Sequence, residues 1–412
     1  MNCFKESLRR KKIMSIVMSV NAGSSSLKFQ VFNMPEETVL AKGLVERIGL
    51  NDSIFSITVD GEKHTEVFDI KDHTVAVEKL IESLIEHKVV ESLSQIEAVG
   101  HRMVHGGEYY SDSVAASKDA EEKFEECIPL APLHNPAGLV GYRSFKEALP
   151  NASHTFVFDT AFHQTMPEEN YIYPIPYEYY VKDHIRRYGM HGTSHKYLTL
   201  RLAQIEGKKP EDMNIITCHL GNGASITAVK NGKSLKTSMG FTPLSGVMMG
   251  TRCGDIDPAI LIFLQKKYGY SADELDNLLN KKSGMLGLSG ISSDGRDIAA
   301  AIAQGNERAI LANKTYVNRI IETVGGYYAL MGGCDAIVFA GGIGENDIQM
   351  RKLICDGLQC LGVQLSDEKN DVRGKETKIS AEDSKVAVWL IPTDEEVMLA
   401  RDAYKDLQNA KA

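Results

Sequence analysis

Residues 16–33, IVMSVNAGSSSLKFQVFN, predict a strand, a loop of small polar residues and a second strand. Ile16–Val20 is a short run rich in β-branched residues, and Leu27–Phe32 alternates apolar with polar side chains, as a half-buried strand does. The loop between them, Asn21–Ser26, has hydroxyl groups and little side-chain bulk, so a polyanion can approach its backbone N–H groups closely. An ordinary hairpin turn is the alternative. We favour an anion-binding loop because a related stretch recurs from Asn214 onward.

The composition is that of a soluble globular protein with 25% charged and 43% hydrophobic residues, and 412 residues are enough for two or three domains. A net charge of −9 argues against a broad nucleic-acid surface, so an anionic substrate must be held by a few placed Arg, Lys or His side chains. The seven cysteines are scattered and form no C-x-x-C pair, which favours a reducing cytoplasm over a disulfide framework or a zinc site.

Residues 1–13 form a basic stretch that, with the short apolar run after it, resembles the start of a signal peptide. Two serines interrupt that run, and cleavage would destroy the strand-loop-strand unit. We therefore predict a basic, disordered extension over 1–13. No run approaches the ~18 apolar residues that a membrane span needs, so we expect no membrane partner.

The pattern of strands and helices is that of two α/β lobes. Strands of the first lobe are predicted at about 38–45, 54–59, 65–70, 96–100 and 155–158, in addition to the opening pair. Its helices are predicted over 74–88, 118–127 and 136–149. We place this lobe at residues 1–160.

The strand-loop-strand pattern then begins again with the strand Asn214–Leu220, the loop Gly221–Ser225 and the strand Ile226–Val229. Further predicted elements are several helices between 257 and 332, a strand at 336–340, a loop at 341–346, a strand at 386–391 and a helix at 394–408. We place the second lobe at 161–394 and expect the helix in 395–412 to return to the first lobe. Because no long linker separates the lobes, we expect a nucleotide cleft between them.

Two stretches resemble familiar nucleotide-binding motifs, but each lacks a glycine that its motif requires. Gly232-Lys233-Ser234 resembles the end of a P-loop, yet Thr227 stands where its first glycine belongs. Gly342-Ile343-Gly344 begins a dinucleotide-binding pattern, yet Asp347 stands in place of the third glycine.

Ten motifs carry a specific resemblance, and together they run from about residue 15 to 405. They are NAGSSSLKF, GHRMVHGG, PLHNP, FDTAFH, YGMHGTSH, HLGNGAS, GTRCGDIDP, SSDGRDI, FAGGIGEN and IPTDEE. In this order they resemble the acetate kinases, which belong to the superfamily of acetate and sugar kinases, Hsp70 and actin. The resemblance implies two lobes of duplicated ribonuclease H-like (βββαβαβα) topology, ATP, acetate, acetyl phosphate and ADP as substrates and products, Mg²⁺ (with Mn²⁺ as a substitute), no nucleic acid, and a homodimer.

Transfer of a phosphoryl group from ATP to acetate brings two anions together, and a carboxylate nucleophile needs no general base. Cationic side chains and Mg²⁺ can overcome the repulsion and align the reacting atoms. The resemblance implies four catalytic residues, Arg102, Asp159, His191 and Arg252, and it makes His134 a support of the transition state with His191 and Arg252. An isolated Arg is more often part of a surface ion pair, but Arg102 and Arg252 lie in glycine-bearing motifs.

The other implied site residues form three groups. Asn21 and Glu395 position Mg²⁺, with Asp159 sharing that role. Phosphate and nucleotide contacts are implied for Ser24, Ser26, Lys28, His219, Leu220, Gly221, Asn222, Gly223, Asp294, Gly295, Arg296, Gly341, Gly342, Ile343, Gly344, Glu345 and Asn346. The apolar pocket for the acetate methyl group is implied for Val104, Leu133, Met190 and Pro243.

Several alternatives remain open. A buried structural role suits His134 and His219 as well as a catalytic one. His191 and His195 have the i, i+4 spacing of a metal pair, but no nearby Glu completes a zinc motif. The family usually has Phe where this chain has Met190, so a propionate or butyrate kinase is a close alternative. An actin- or Hsp70-like ATPase is a more distant one, because it would need no carboxylate site.

Overall fold

A computed structural model describes residues 14–132 and 134–412, which divide into two compact units. The first unit extends to Phe158 and takes in Glu395–Ala412, and the second unit is Asp159–Asp394. The predicted extension over 1–13 and the predicted pocket residue Leu133 lie outside the described residues. No described helix has both the length and the apolar character needed to cross a membrane.

The first unit is built on an eight-stranded sheet with the spatial order β5-β4-β3-β2-β1-β6-β8-β7. Its strands are β1 (Ser15–Ala22), β2 (Ser26–Met34), β3 (Thr38–Glu46), β4 (Ser53–Val59), β5 (Glu62–Phe68), β6 (Ile96–Met103), β7 (Val114–Ala115) and β8 (Ser153–Phe158). Neighbouring strands from β1 to β5 are antiparallel, whereas β6 is parallel to β1, and β8 is parallel to β6. Leu27, Phe29 and Val31 of β2 are fully buried and Lys28 is exposed, which confirms the predicted alternation.

Three α-helices lie between these strands along the chain, one between β5 and β6 and two between β7 and β8. They are α1 (His73–Glu86), α2 (Lys118–Glu126) and α3 (Asn135–Ala148). Asp72 caps α1, since its carboxylate accepts a hydrogen bond from the backbone N–H of Val75 at 3.0 Å. Leu80 and Leu84 of α1 pack with Phe29 and Val99 in the core beneath the sheet.

The second unit is built on a six-stranded sheet with the spatial order β11-β10-β9-β12-β14-β13. Its strands are β9 (Asn214–Leu220), β10 (Ala224–Lys230), β11 (Lys233–Thr237), β12 (Ala336–Ala340), β13 (Thr377–Lys378) and β14 (Ala387–Leu390). β9, β10 and β11 are antiparallel, whereas β12 is parallel to β9, and β14 is parallel to β12.

Eleven described α-helices belong to the second unit, in addition to three short 3₁₀-helices. They are α4 (Glu168–Tyr171), α5 (Glu178–Asp183), α6 (Gly192–Glu206), α7 (Ala259–Tyr268), α8 (Ala272–Lys281), α9 (Gly284–Ser289), α10 (Gly295–Ala303), α11 (Glu307–Met331), α12 (Gly341–Asn346), α13 (Ile348–Gly357) and α14 (Asp367–Asn370). Leu198 and Leu202 of α6 pack with Ile215 and Val338 of the sheet.

The last helix, α15 (Glu395–Lys411), belongs to the first unit. It lies so close to β6 that a Cβ atom on Gly100 would be 2.4 Å from the backbone oxygen of Leu399. Arg401 is paired with Glu37 at 2.6 Å, which adds a second attachment to the same unit.

The two sheets share one topology. In the first unit β3-β2-β1-β6-β8, and in the second β11-β10-β9-β12-β14, place three antiparallel strands beside two parallel ones. The predicted duplicated α/β topology is therefore confirmed.

The predicted loop at 341–346 is wrong, because this segment is the short helix α12. A carboxylate oxygen of Glu345 accepts hydrogen bonds from the backbone N–H groups of Gly341 at 2.9 Å and Thr393 at 3.2 Å. These two hydrogen bonds hold the segment together through the Glu345 side chain. A glycine-rich sequence does not predict such a contact. The predicted strand at 65–70 is also shifted, since β5 ends at Phe68.

Candidate active site

Two predicted site residues of the first unit, Asn21 and Arg102, meet at the ends of adjacent strands. β1 and β6 are parallel, and their register pairs Val20 with His101, so the next residue of each strand lies beside the other. A guanidinium N–H of Arg102, on Nη1, donates to Oδ1 of Asn21 at 3.3 Å. The guanidinium is thereby positioned at the carboxyl end of β1, where the Ser-rich loop begins.

The Ser-rich loop is held by a residue that the sequence did not single out. The backbone N–H of Gly23 donates to the carbonyl of Ser26 at 2.8 Å, and Ser24 is exposed. Nε2 of His73, the first residue of α1, is hydrogen-bonded to the carbonyl of Gly23 at 2.7 Å. No motif signals His73, because the contact joins residues far apart in the chain.

Lys28 follows the loop, and its ammonium group forms an ion pair with Glu396 of α15. Glu395, the predicted Mg²⁺ residue, is the first residue of the same helix, and its Oε1 atom is buried. Val104 is half-buried just after β6, and His134 is an exposed residue immediately before α3.

In the second unit, His191 has an unusual backbone conformation at the start of α6. Its φ of 58° lies in the left-handed region, which non-glycine residues adopt rarely and often at functional sites. The next N–H, of Gly192, donates to the carbonyl of Asp159 at 2.8 Å. A Cβ atom on Gly192 would be 2.2 Å from that carbonyl oxygen, so the close approach requires glycine. Asp159 itself is 1% exposed.

His191, Arg252 and Gly223 converge on one point of the second unit. A Cβ atom placed on Gly223 would be 3.5 Å from Nη1 of Arg252 and 3.7 Å from Nε2 of His191. Arg252 donates from Nη1 to the carbonyl of Pro243 at 3.3 Å, which fixes its direction. Burial lowers the pKa of its guanidinium, because the charged form loses hydration, but a guanidinium stays protonated in proteins. A glycine backbone, an imidazole and a cation thus lie close to one point, and these are groups that can bind a phosphoryl oxygen.

The loop between β9 and β10 consists of Gly221, Asn222 and Gly223, and two backbone hydrogen bonds hold it in place. The N–H of Gly221 donates to the carbonyl of Gly223 at 3.0 Å, and the N–H of Gly250 donates to the carbonyl of Asn222 at 3.0 Å. Leu220, at the end of β9, is fully buried.

His219 stacks on His191 with 4.3 Å between ring centroids, and its Nδ1 is hydrogen-bonded to Oγ of Ser194 at 2.8 Å. These two contacts give the His219 ring a structural role. Met190, which precedes His191, is 3% exposed, and its carbonyl is hydrogen-bonded to Nε2 of His163 at 3.0 Å.

The predicted nucleotide residues Asp294, Gly295 and Arg296 lie at the start of α10. Asp294 caps that helix by accepting from the N–H of Arg296 at 2.8 Å, and its carboxylate pairs with Nη2 of the same Arg at 2.6 Å. The side-chain hydrogen bond to Arg296 lowers the pKa of Asp294 to about 2. The Arg296 side chain is 91% exposed and that of Asp294 is 39% exposed, so the pair is accessible to a ligand.

A cavity of about 340 Å³ opens beside these residues, entirely within the second unit. Gly295 and Ile343 from the predicted set line it, and its apolar walls include Met249, Ile298 and Met350. Tyr316 of α11 also lines it, with a buried hydroxyl group that lacks a hydrogen-bond partner among the described residues. The sequence predicted Gly295 and Ile343 as site residues but not the side chains that form the apolar walls of this cavity. Those side chains come from helices that are far apart in the chain.

The described residues include no cluster of three or more His, Cys, Asp or Glu side chains that could hold a metal ion. Asn21, Asp159 and Glu395 offer oxygen atoms, which Mg²⁺ prefers. Mg²⁺ in kinases is usually held by one or two carboxylates together with substrate phosphates. Oxygen donors of this kind therefore suit an ion that arrives with a nucleotide.

Comparisons with known proteins show the family of the chain. The model of the Acetokinase family matches residues 16–401. The chain is 56% identical over 392 residues to an acetate kinase of Bacillus subtilis (strain 168), covering 95% of this chain and 99% of that relative. A crystal structure of Porphyromonas gingivalis acetate kinase matches with a TM-score of 0.92 and 48% identity, over 95% of this chain and 100% of that one. A propionate kinase from Francisella tularensis matches with a TM-score of 0.90 and 42% identity, over 95% and 100%. The chain belongs to the Acetokinase family.

Proposed function

We propose that this protein is an acetate kinase, which transfers the γ-phosphoryl group of ATP to acetate by direct in-line displacement. An acetate oxygen forms a bond to the γ-phosphorus while the bond from that phosphorus to the β–γ bridging oxygen breaks. The products are acetyl phosphate and ADP, and no proton has to be moved. The convergence of Arg252, His191 and Gly223 is the observation that carries this proposal, because it supplies the positive charge and the hydrogen bonds that a transferring phosphoryl group needs.

Each cationic group has a distinct role in this proposal. The guanidinium of Arg252 stabilises the charge that spreads over the equatorial oxygens of the transferring phosphoryl group. Arg102, oriented by Asn21, binds the acetate carboxylate with its planar fork of N–H donors. His191 hydrogen bonds to a phosphoryl oxygen, and His134 is a further support of the transition state.

We propose that the 340 Å³ cavity takes the adenine ring. Its apolar walls can cover the faces of the base, as in most ligand pockets. Asp294 and Arg296 would then contact the ribose, and the backbone of Gly341, Gly342 and Asn346 the adjoining phosphate. Ser24, Ser26, Asn222 and Gly223 would hold the phosphates nearer the reacting end. Lys28 can join them, because its ammonium group has further N–H donors besides the one that pairs with Glu396.

We propose Mg²⁺ as the metal, held by Asn21 and Glu395 with Asp159 sharing the role, and with Mn²⁺ as a substitute. When bound, the ion neutralises charge on the nucleotide phosphates. The contribution of this chain is oxygen ligands, with the Asn21 amide already oriented by Arg102.

Trapping of the acyl phosphate with hydroxylamine tests the proposal. With ATP and Mg²⁺, we expect hydroxamate formation with acetate and less with propionate and butyrate. ATP hydrolysis without hydroxamate formation for any of the three acids would instead favour an actin- or Hsp70-like ATPase.

Acyl-chain selectivity should depend on the side chains at 104 and 190. One methylene group in a well-formed pocket is worth about 1–3 kcal/mol, so we expect propionate to be poorer than acetate by about tenfold or more. Val104→Ala should favour propionate by adding space, and Met190→Phe should favour acetate because the flexible Met yields more easily than a ring. The measurement is kcat/KM for both acids on the three proteins. An unchanged ratio across the set would mean that neither side chain contacts the methyl group, and a preference of the unmodified protein for propionate would favour the propionate kinase alternative.

We propose that the protein is a homodimer and that α7 of one copy packs on α7 of a second copy. None of the ten residues of α7 is buried, although Ile260, Ile262 and Phe263 belong to it and Phe263 is 58% exposed. Such an apolar face is typical of an interface. A two-fold axis perpendicular to the helices would make them antiparallel and bring the exposed Asp257 before one helix near Lys266 and Lys267 at the end of the other.

Phe263→Asp should convert the dimer to a monomer, because a charge in the centre of an apolar interface is not compensated. Light scattering coupled to size exclusion measures the mass directly. The control is Val181→Asp on α5, which places the same charge on another apolar side chain, 61% exposed. A monomeric unmodified protein, or dimers in both variants, would contradict the α7 interface.

We also propose a cytoplasmic location. ATP is available there, and the six described cysteines are free thiols, as expected in a reducing compartment.

A further inference from the structure

The backbone of His191 is held by one hydrogen bond on each side of the residue. Its φ of 58° and ψ of 24° lie in the left-handed region, which a non-glycine residue keeps only when its surroundings impose it. The peptide group before His191 carries the carbonyl of Met190, which is hydrogen-bonded to Nε2 of His163 at 3.0 Å. The peptide group after it carries the N–H of Gly192, which donates to the carbonyl of Asp159 at 2.8 Å. Since φ and ψ describe the rotation of these two planar groups, the two bonds together hold the conformation of His191.

The hydrogen bond from His163 has a defined direction. His163 lies in the short 3₁₀-helix Ala161–Thr165, and its side chain is fully buried. A backbone carbonyl can only accept, so Nε2 of His163 carries a proton and donates to Met190. Burial lowers the pKa of His163 to about 4, so the ring is neutral near neutral pH and its Nδ1 is bare. Nδ1 therefore accepts from the hydroxyl group of Ser234, whose Oγ is 2.9 Å away.

A glycine allows the chain before His191 to lie against this ring. Gly189 has a φ of 79°, which suits glycine and few other residues. A Cβ atom on Gly189 would be 2.8 Å from Cδ2 of His163 and 2.3 Å from Cγ2 of Thr237. A side chain at this position would therefore push the segment away from His163 and break the bond to Met190.

We propose that His163 is a positioning residue, which fixes the peptide group before His191 and through it the place of the His191 ring. That ring lies beside Arg252, since a Cβ atom on Gly223 would be 3.6 Å from Cε1 of His191 and 3.5 Å from Nη1 of Arg252. Without the bond from His163, the peptide group between Met190 and His191 can rotate, and the ring moves away from this point. The inference rests on the proposed role of His191 and adds the residue that orients its backbone.

Two amide variants of His163 separate the bond to Met190 from the burial of a polar group. In His163→Gln the amide nitrogen is as many bonds from Cβ as Nε2 is, so it can still donate to the Met190 carbonyl. In His163→Asn the amide is one bond shorter, as Nδ1 is, and the bond to Met190 is lost. We expect His163→Asn to lower kcat about tenfold with the KM values for ATP and acetate little changed, because a small displacement of a reacting group has such a cost. His163→Gln should stay within about threefold of the unmodified kcat.

Thr165→Val is the matched control. Thr165 belongs to the same 3₁₀-helix, and its hydroxyl group donates to the carbonyl of Ser234 at 2.9 Å. The variant loosens this segment but leaves the bond to Met190 intact, so we expect kcat to stay close to that of the unmodified protein. A loss as large as that of His163→Asn would overturn the proposal, as would a His163→Gln variant no more active than His163→Asn.

A double-mutant cycle with His191 distinguishes positioning from general structural support. If His163 acts through His191, His163→Asn should have no further effect on kcat in the His191→Ala background. Its effect on the free energy of unfolding should be the same in both backgrounds, because that effect does not pass through the His191 ring. An equal fold-loss of kcat in the two backgrounds overturns the proposal.

The unmodified protein provides a readout that needs no substrate. In the full-length protein labelled with ¹⁵N-histidine, the shifts of the ring nitrogens distinguish a protonated nitrogen from a bare one, and the His163 signals are those lost in His163→Gln. At about pH 7 we expect Nε2 of His163 to be protonated and Nδ1 to be bare. A proton on Nδ1 instead would overturn the proposal, since Nε2 could not then donate to Met190. Failure of the proposed function would appear separately, as absent hydroxamate formation in a protein that still has this tautomer.

Discussion

Arg252→Ala is expected to lower kcat by about 10²–10³-fold while the protein stays folded. The loss of one preorganised donor at the reacting centre typically has this cost. Arg252 is fixed by the carbonyl of Pro243 and faces Gly223 beside His191, so its truncation removes the guanidinium charge from that point. Stopped assays at saturating ATP and acetate measure kcat, and circular dichroism checks the fold.

The same experiment on three further variants sharpens the result. Arg252→Lys should recover activity only in part, because an ammonium lacks the fork geometry. Arg102→Ala should show a similar loss. The control is Arg319→Ala on α11, which removes a half-exposed guanidinium paired with Glu322 at 3.6 Å and should change kcat little. If Arg252→Ala kept more than about a tenth of the activity, its catalytic role would be wrong.

Gly192→Ala is expected to reduce kcat on the order of 10²-fold, although it adds only one methyl group. The new Cβ atom would be 2.2 Å from the carbonyl oxygen of Asp159, and backbone cannot move aside as a side chain can. The start of α6 must shift, and His191 and Asp159 shift with it. Displacements of about 1 Å at reacting groups can cost this much. Overpacking should also destabilise the fold by about 1–3 kcal/mol, measured by urea unfolding.

The control for this variant is Gly325→Ala on α11. A Cβ atom there meets nothing within 4 Å, so the same substitution should stabilise the helix by up to about 1 kcal/mol and leave kcat unchanged. Normal kcat in Gly192→Ala would show that the contact between Gly192 and Asp159 does not set the geometry of the site.

The sequence by itself determined the local elements and the family. Alternation in Leu27–Phe32 predicted the burial of β2 because successive strand residues face opposite sides, whatever the rest of the chain does. The duplicated strand-loop-strand pattern predicted the shared topology of the two sheets, and ten ordered motifs identified the family before any contact was known. These features depend on neighbours in the chain, which a sequence displays directly.

Only the tertiary structure decided which distant residues meet. The parallel register of β1 and β6 brings Arg102 to Asn21, 81 positions away, and α6 and β10 bring His191 to Ser225, 34 positions away. The segment predicted as a loop is the helix α12, in which the carboxylate of Glu345 accepts a hydrogen bond from Gly341. Helices from separate parts of the chain enclose the cavity that Ile343 lines. No local pattern encodes such contacts, because they depend on strand register and helix packing that form only when the whole unit folds. The motifs could therefore name His191, but its hydrogen bond to Ser225 could be found only in the structure.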